Sequence, residues 1–210
     1  MAKDIAVLFA DTHLQDRAWS ERDIEGDSYY AFEQIVDYMI EHKLPGFGAG
    51  DLLDKHINIS NPIRFLVEQI ERLKQAGVHL LFTQGQHELS ANPWLGCHSW
   101  ADNLHGRSTE VSGVNFYGID YQPAGKLQEE LDKIPPGTDV LIAHQVWGDL
   151  MGNIGNPQGS FADVPVVPMV FTGDYHHFKE VHATGKDGQA LIAISPGSTC
   201  MQAIDEPPEK

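Results

Sequence analysis

Val78-His79-Leu80-Leu81-Phe82-Thr83-Gln84-Gly85-Gln86-His87-Glu88 changes character partway along. It opens as an apolar, β-favouring run and closes on a glycine, an amide, an imidazole and a carboxylate. So short a run, ended by a glycine, predicts a buried strand giving way to a polar loop. The same change recurs around Asp11-Thr12-His13, Gly50-Asp51-Leu52-Leu53-Asp54, Ala143-His144-Gln145 and Gly173-Asp174-Tyr175-His176-His177. Brought together, these loops would present carboxylates, imidazoles and one amide at a single place. That donor mix suits a pair of divalent cations engaged in phosphate-ester hydrolysis.

Between the runs lie helical patterns. Residues 27–43 carry apolar Tyr30, Ile35, Val36, Tyr38, Met39 and Ile40, and residues 62–75 carry Ile63, Leu66, Val67, Ile70 and Leu73. Asn61 before Pro62 reads as an N-cap, and Gly77 as the stop. Strands are expected at 5–9, 45–49, 78–82, 140–143, 166–172, 180–184 and 190–195. A hairpin turns at Ser112-Gly113, and another at Lys186-Asp187-Gly188. A short helix is expected at 127–134, and residues 149–163, rich in Gly and Asn, read as a surface loop. Strand, loop and helix in repetition predict an α/β sandwich with a largely parallel central sheet. The chain reads as one domain over residues 1–204, with a polar, proline-rich tail at 205–210.

The net charge of −16, with only 14 Lys and Arg, argues against tight, unaided gripping of a nucleic-acid backbone. It does not argue against phosphoester chemistry, because bound divalent ions would reverse the local sign. No apolar run approaches the roughly 20 residues that cross a bilayer. Met1-Ala2-Lys3-Asp4 runs directly into a strand without signal-peptide anatomy. Cys97 and Cys200 lack metal-type spacing and suggest no disulfide framework. A cytoplasmic setting is expected, and no membrane partner.

On extended backbone Asp11 and His13 would share a face, as would Asp174 and His176, with His177 turned away. Asp51 offers two oxygens able to bridge a metal pair roughly 3.5–4 Å apart. Gly85 permits a tight turn that sends Gln86 and His87 in different directions. The Gln86 amide oxygen can then ligate a hard cation while His87 faces substrate. His144, taken alone, reads equally as a ligand or as a satisfied core histidine. His42, His79, His98, His105 and His182 read as surface or packing residues.

In order, these segments resemble the calcineurin-like metallophosphoesterases, whose pattern is D-x-H, G-D-x-x-(D/H), G-N-H-(D/E), H and G-H-x-H. The resemblance spans residues 11 to 176. Asp163-Val164-Pro165, the Ala143-His144-Gln145 strand end and Ser195-Pro196-Gly197-Ser198-Thr199 are similar to the SbcD-type double-strand-break-repair nucleases. The resemblance implies a four-layer α/β/β/α sandwich with mixed central sheets. It also implies one metal on Asp11, His13, Asp51 and His176, and a second on Asp51, Gln86, His144 and Asp174. His87 would act on the scissile phosphate or leaving oxygen, Glu88 would orient or protonate it, and Asp54 would lie just behind the ligands. Two positions depart from the pattern: Gln86 stands for its asparagine and Asp174 for its first histidine. Both serve the same metal, and the added oxygen character favours Mn2+ or Mg2+ over zinc.

The leading expectation is a manganese-dependent DNA nuclease, cytoplasmic, working with an SbcC-type coiled-coil ATPase and as a homodimer. Trp19, Tyr29, Tyr30 and Phe65 are candidate dimer-surface residues, or else packing residues. By that resemblance this sequence ends about where the phosphoesterase domain of the group ends, before its capping domain and ATPase-binding segment. The expectation is either a minimal version or a piece of a longer chain. One alternative is a small-molecule phosphodiesterase or nucleotide phosphatase on the same scaffold. Another is a catalytically weakened scaffold that binds a partner.

Overall fold

A computed structural model describes residues 3–16, 26–55, 60–90, 95, 99–152 and 156–200. Trp19, Cys97, His98 and the 205–210 tail lie outside the described residues. The first sheet holds β1 (Val7–Phe9), β2 (Gly46–Ala49), β3 (Leu80–Thr83) and β4 (Ala101–Asn103), in that order and all parallel. The second holds β5 (Ser108–Val111), β6 (Val114–Ile119), β7 (Val140–His144), β8 (Met169–Gly173), β9 (Phe178–Thr184) and β10 (Ala190–Pro196). Its order is β5-β6-β7-β8-β10-β9, with parallel pairing in the middle and an antiparallel hairpin at each edge.

Helices α1 (Asp27–His42) and α2 (Ser60–Ala76) cover the first sheet. Phe32, Val36 and Met39 on α1, and Leu66, Ile70 and Leu73 on α2, recur at helical spacing and join one buried cluster with Phe9, Leu80 and Phe82. β2, Gly-Phe-Gly-Ala, is a poor strand by propensity. Its glycine has a packing reason: a Cβ at Gly46 would collide with the Met39 side chain. Between the sheets lie Ala49, Ile142 and Phe171, with Phe47 and Phe116 stacked at 4.2 Å. On the far side of the second sheet, α3 (Leu127–Leu131), α4 (Gly148–Met151) and a 3-10 turn at Phe161–Asp163 bury Trp147, Leu150 and Phe161. The result is the expected α/β/β/α sandwich. No described helix is long and apolar enough to cross a membrane.

Three local expectations need correction. Helix α2 begins at Ser60, so Asn61 sits inside the first turn, where its side-chain amide donates to Asp16 at 3.3 Å. Of residues 149–163, the described stretches 149–152 and 156–163 are not simply a surface loop. They contain most of α4 and the 3-10 turn, which is closed by a capping box between Ser160 and Asp163. Strand β4 was not expected, because Ala-Asp-Asn lacks β-branched residues; it pairs with β3 at Leu80↔Ala101. The aromatics proposed for a dimer surface divide. Tyr29 and Phe65 pack on each other at 4.6 Å, whereas Tyr30 is 67% exposed.

Candidate metal centre

Every predicted donor loop leaves the C-terminal end of a parallel strand, and the two sheets aim those ends at one cleft. Asp11 and His13 follow β1, Asp51 and Asp54 follow β2, and Gln86 to Glu88 follow β3. His144 closes β7, and Asp174 and His176 follow β8. Asp11, Asp51 and His144 are fully buried. The atoms needed for metal binding converge in three groups: Asp11, His13 and His176; Asp11, Asp51 and His144; and His13, Asp54 and His87.

The backbone that achieves this is not the extended chain expected. Asp11, His13, Asp51 and Asp174 have φ of 52°, 41°, 50° and 81°, all left-handed. Pleated alternation therefore does not bring Asp11 and His13, or Asp174 and His176, to one face; tight left-handed bends do. Such conformations cost side-chain-bearing residues free energy, and they gather at functional sites. Gly85 likewise acts differently from expectation. It has no positive φ, but a Cβ there would overlap the Asp51 carboxylate and its backbone nitrogen. The glycine is a close-approach residue, not a turn residue.

Asp51 is the hub. Its Oδ2 lies 3.3 Å from His144 Nε2, 3.8 Å from His13 Nε2 and 3.9 Å from His87 Nε2. Its Oδ1 accepts the His87 backbone N–H at 3.1 Å. His144 Nδ1 lies 2.8 Å from the Ala49 carbonyl, which can only accept. That contact puts the proton on Nδ1 and turns the Nε2 lone pair of the neutral ring toward Asp51. Asp54 Oδ1 stands 3.5 Å from His13 Nδ1, which leaves Nε2 facing His176 Nε2 at 3.2 Å. Among the described residues, buried Asp51 Oδ2 and His144 Nε2 have no aligned hydrogen bond. Buried polar atoms without partners are costly. A lone pair and a carboxylate oxygen, both unspent and 3.3 Å apart, fit a divalent cation between them.

Electrostatics agree. Burial by itself would raise the Asp51 carboxyl, but His144, His13 and His87 outweigh it and hold the group below the ordinary carboxylate range. Burial would strip the His144 proton, yet Asp51, Asp11 and Asp174 prevail and push the imidazole up to about 10. Asp11, also fully buried, is raised by burial despite His144. Concentrated negative charge thus draws a proton into the place a metal ion would take.

The remaining predicted residues fall around this core. Gln86 is exposed, and its Nε2 donates to Asp174 Oδ1 at 2.8 Å. Asp174 Oδ1 is 3.9 Å from His144 Nε2. His176 Nε2 is 3.8 Å from Asp11 Oδ1. The half-exposed His87 ring sets Nδ1 2.5 Å from the Asp54 carbonyl, so Nε2 faces the cleft. Glu88 is buried, and its carboxylate accepts from the backbone N–H of Leu53 at 2.9 Å and of Gly85 at 3.4 Å. These contacts make it a brace between two donor loops. Burial, then Asp51, push its carboxyl up to about 7. The sequence reading missed the Ala49 carbonyl, since no residue type marks a main-chain acceptor. Of the other histidines, His79 packs at a tilt on Trp100, ring centroids 4.2 Å apart, and His182 pairs with Glu180 at 2.9 Å.

No family model matches the chain. It is 23% identical, over 93% of its length, to the DNA double-strand break repair protein Mre11 of Sulfurisphaera tokodaii, of which it covers 54%. It is 28% identical to the protein of the same name from Haloferax volcanii, over 65% of this chain and 33% of that one. Against the uncharacterized metallophosphoesterase YhaO of Bacillus subtilis the identity is 24%, over 95% of this chain and 51% of the relative. The chain spans about half the length of the curated relatives it matches in this way. These similarities support the calcineurin-like metallophosphoesterase superfamily for this chain.

Proposed function

We propose that this chain is the catalytic unit of a divalent-metal-dependent DNA nuclease that hydrolyses phosphodiester bonds, with manganese as the working ion. One observation carries the reading: Asp51 Oδ2 and His144 Nε2, which have no aligned hydrogen bond among the described residues, lie 3.3 Å apart and buried where five strand-end loops meet. Asp11, His13, Asp51 and His176 would hold one ion, and Asp51, Gln86, His144 and Asp174 the other. Ions held there supply Lewis-acid polarisation of the phosphate and a nucleophilic water at neutral pH. Asp54, its Oδ1 3.5 Å from His13 Nδ1, favours a proton on that nitrogen by its charge. His87, fixed through its Nδ1 and its backbone N–H, turns Nε2 to the cleft, where in its protonated form it can donate to the departing oxygen. The names of the relatives favour DNA over other phosphodiesters. DNA, an SbcC-type coiled-coil ATPase and a second copy of the chain belong to the same proposal.

A small-molecule phosphodiesterase is the second reading, favoured by charge. Lys55 lies 3.9 Å from Asp54, yet among the described residues no arginine pairs with Asp11, Asp51, Asp54 or Asp174. Digestion of single- and double-stranded DNA with Mn2+, set against cyclic nucleotides, separates the two. The nuclease reading expects DNA cleavage and little turnover of cyclic nucleotides. His87→Ala should lower cleavage by roughly 100-fold or more while both ions still bind. Wild-type protein that binds Mn2+ and cleaves no phosphodiester would instead identify a scaffold.

A further inference from the structure

Gln86 and Asp174 belong to different sheets. One follows β3 and the other β8, and their side chains meet across the cleft at 2.8 Å. Asp174 is also held by its main chain: φ is 81°, and its N–H donates to both Asp11 oxygens at 3.0 and 3.2 Å. Its carboxylate is therefore fixed from two directions, by the strained backbone behind and by the Gln86 amide in front.

The chemistry of that amide is selective. A lysine or arginine at position 86 would also donate to Asp174, but its positive charge would oppose a cation. A carboxylate there would repel Asp174 at hydrogen-bond distance. Glutamine alone among these supplies a donor without charge and keeps an oxygen in reserve. Length matters as well. A two-methylene amide meets a one-methylene carboxylate, so shortening the first or lengthening the second breaks the contact.

From this geometry we infer that Gln86 and Asp174 are a matched pair, in which Gln86 is the positioning residue that holds the Asp174 carboxylate toward the second ion. The inference rests on the two-ion reading of the centre. It adds that the two positions are interdependent and must be exchanged together. Their hydrogen bond also joins the two sheets at the rim of the cleft, so its loss is felt before any metal arrives.

The test is a double-mutant cycle with its polarity reversed. Gln86→Glu places two carboxylates face to face. Asp174→Asn keeps an acceptor but removes the charge. Together the two substitutions restore one amide and one carboxylate with donor and acceptor exchanged. Melting temperature is read on metal-free protein, and Mn2+ stoichiometry and affinity by calorimetry and electron paramagnetic resonance. Gln86→Glu alone should lower the metal-free Tm by several degrees. Asp174→Asn alone should weaken the second Mn2+ step by about tenfold or more. The combined variant should recover the Tm to near wild type and the second step to within a few-fold, a non-additive outcome expected of contacting residues. The first Mn2+ step, on Asp11, His13, Asp51 and His176, serves as the internal control and should hold in all three variants. Additive Tm shifts with two ions still bound to wild type would overturn the pairing alone. Wild type that binds no Mn2+ would overturn the metal-centre reading and the pairing with it.

Discussion

Gly85 has no room for a methyl group, because the Asp51 carboxylate occupies the space. Gly85→Ala should therefore displace Asp51 or the loop, costing about 1–3 kcal/mol of stability as overpacking does. It should also weaken Mn2+ binding by tenfold or more. Gly77 provides the control: its φ is 70°, with nothing near its missing Cβ. Gly77→Ala should cost about 1 kcal/mol through backbone strain and leave Mn2+ affinity unchanged. Urea denaturation and calorimetry measure both, and equal loss of metal binding in the two variants would refute the close-approach role. At this scale the identities of the donors were legible and their conformations were not. Asp11, Asp51, His144 and His176 could be named because each sits where an apolar run stops. The left-handed φ of Asp11, His13, Asp51 and Asp174 has only a weak signature in residue type, since Asp and His are enriched in that region but mostly lie outside it.

Helices α1 and α2 were legible for a simple reason: each repeats its apolar residues at 3.6-residue spacing and buries that stripe on one sheet. The segment from Gly148 to Asp163 has no such repeat. Its large buried side chains among the described residues, Leu150 and Phe161, stand apart among Gly, Asn and Pro, and periodicity does not detect them. What orders its later part is docking. Phe161 lies 4.8 Å from the buried Trp147 ring, whose indole N–H donates to Thr172 at 2.9 Å. The Ser160–Asp163 capping box then holds the 3-10 turn in place. Phe161→Ala should accordingly cost about 3–5 kcal/mol, the range for an aromatic removed from a core, and should shift tryptophan fluorescence. His144, tied to Ala49 on the opposite sheet, should keep its orientation, so Mn2+ stoichiometry should survive below the unfolding transition. A loss under about 1 kcal/mol would show that the segment lies on the surface, as the sequence reading had it.

Across the whole molecule, the donors couple stability to pH in opposite senses with and without metal. Glu88 is raised from 4.5 to about 7 and His144 from 6.5 to about 10. In both, the folded protein holds a proton that the unfolded chain has already released. Their stabilising contributions are complete below the lower value of each pair and are lost as pH rises through the higher. Asp51 and Asp54, whose carboxyls are held low, work the other way and lose their contribution only in acid. Between about pH 6 and about pH 8.5 the first two dominate, so metal-free stability should fall across that window. An ion bound at His144 must displace the proton drawn there, so binding releases protons and tightens as pH rises. The gap in Tm between Mn2+-loaded and metal-free protein should therefore widen steadily from the lower pH to the higher. Differential scanning fluorimetry at constant ionic strength reads it. Calorimetry in buffers of different ionisation enthalpy should find proton release on Mn2+ binding. A gap that stays constant, with no buffer-dependent heat, would mean that the ion binds away from His144, and the assignment of the buried donors would fall.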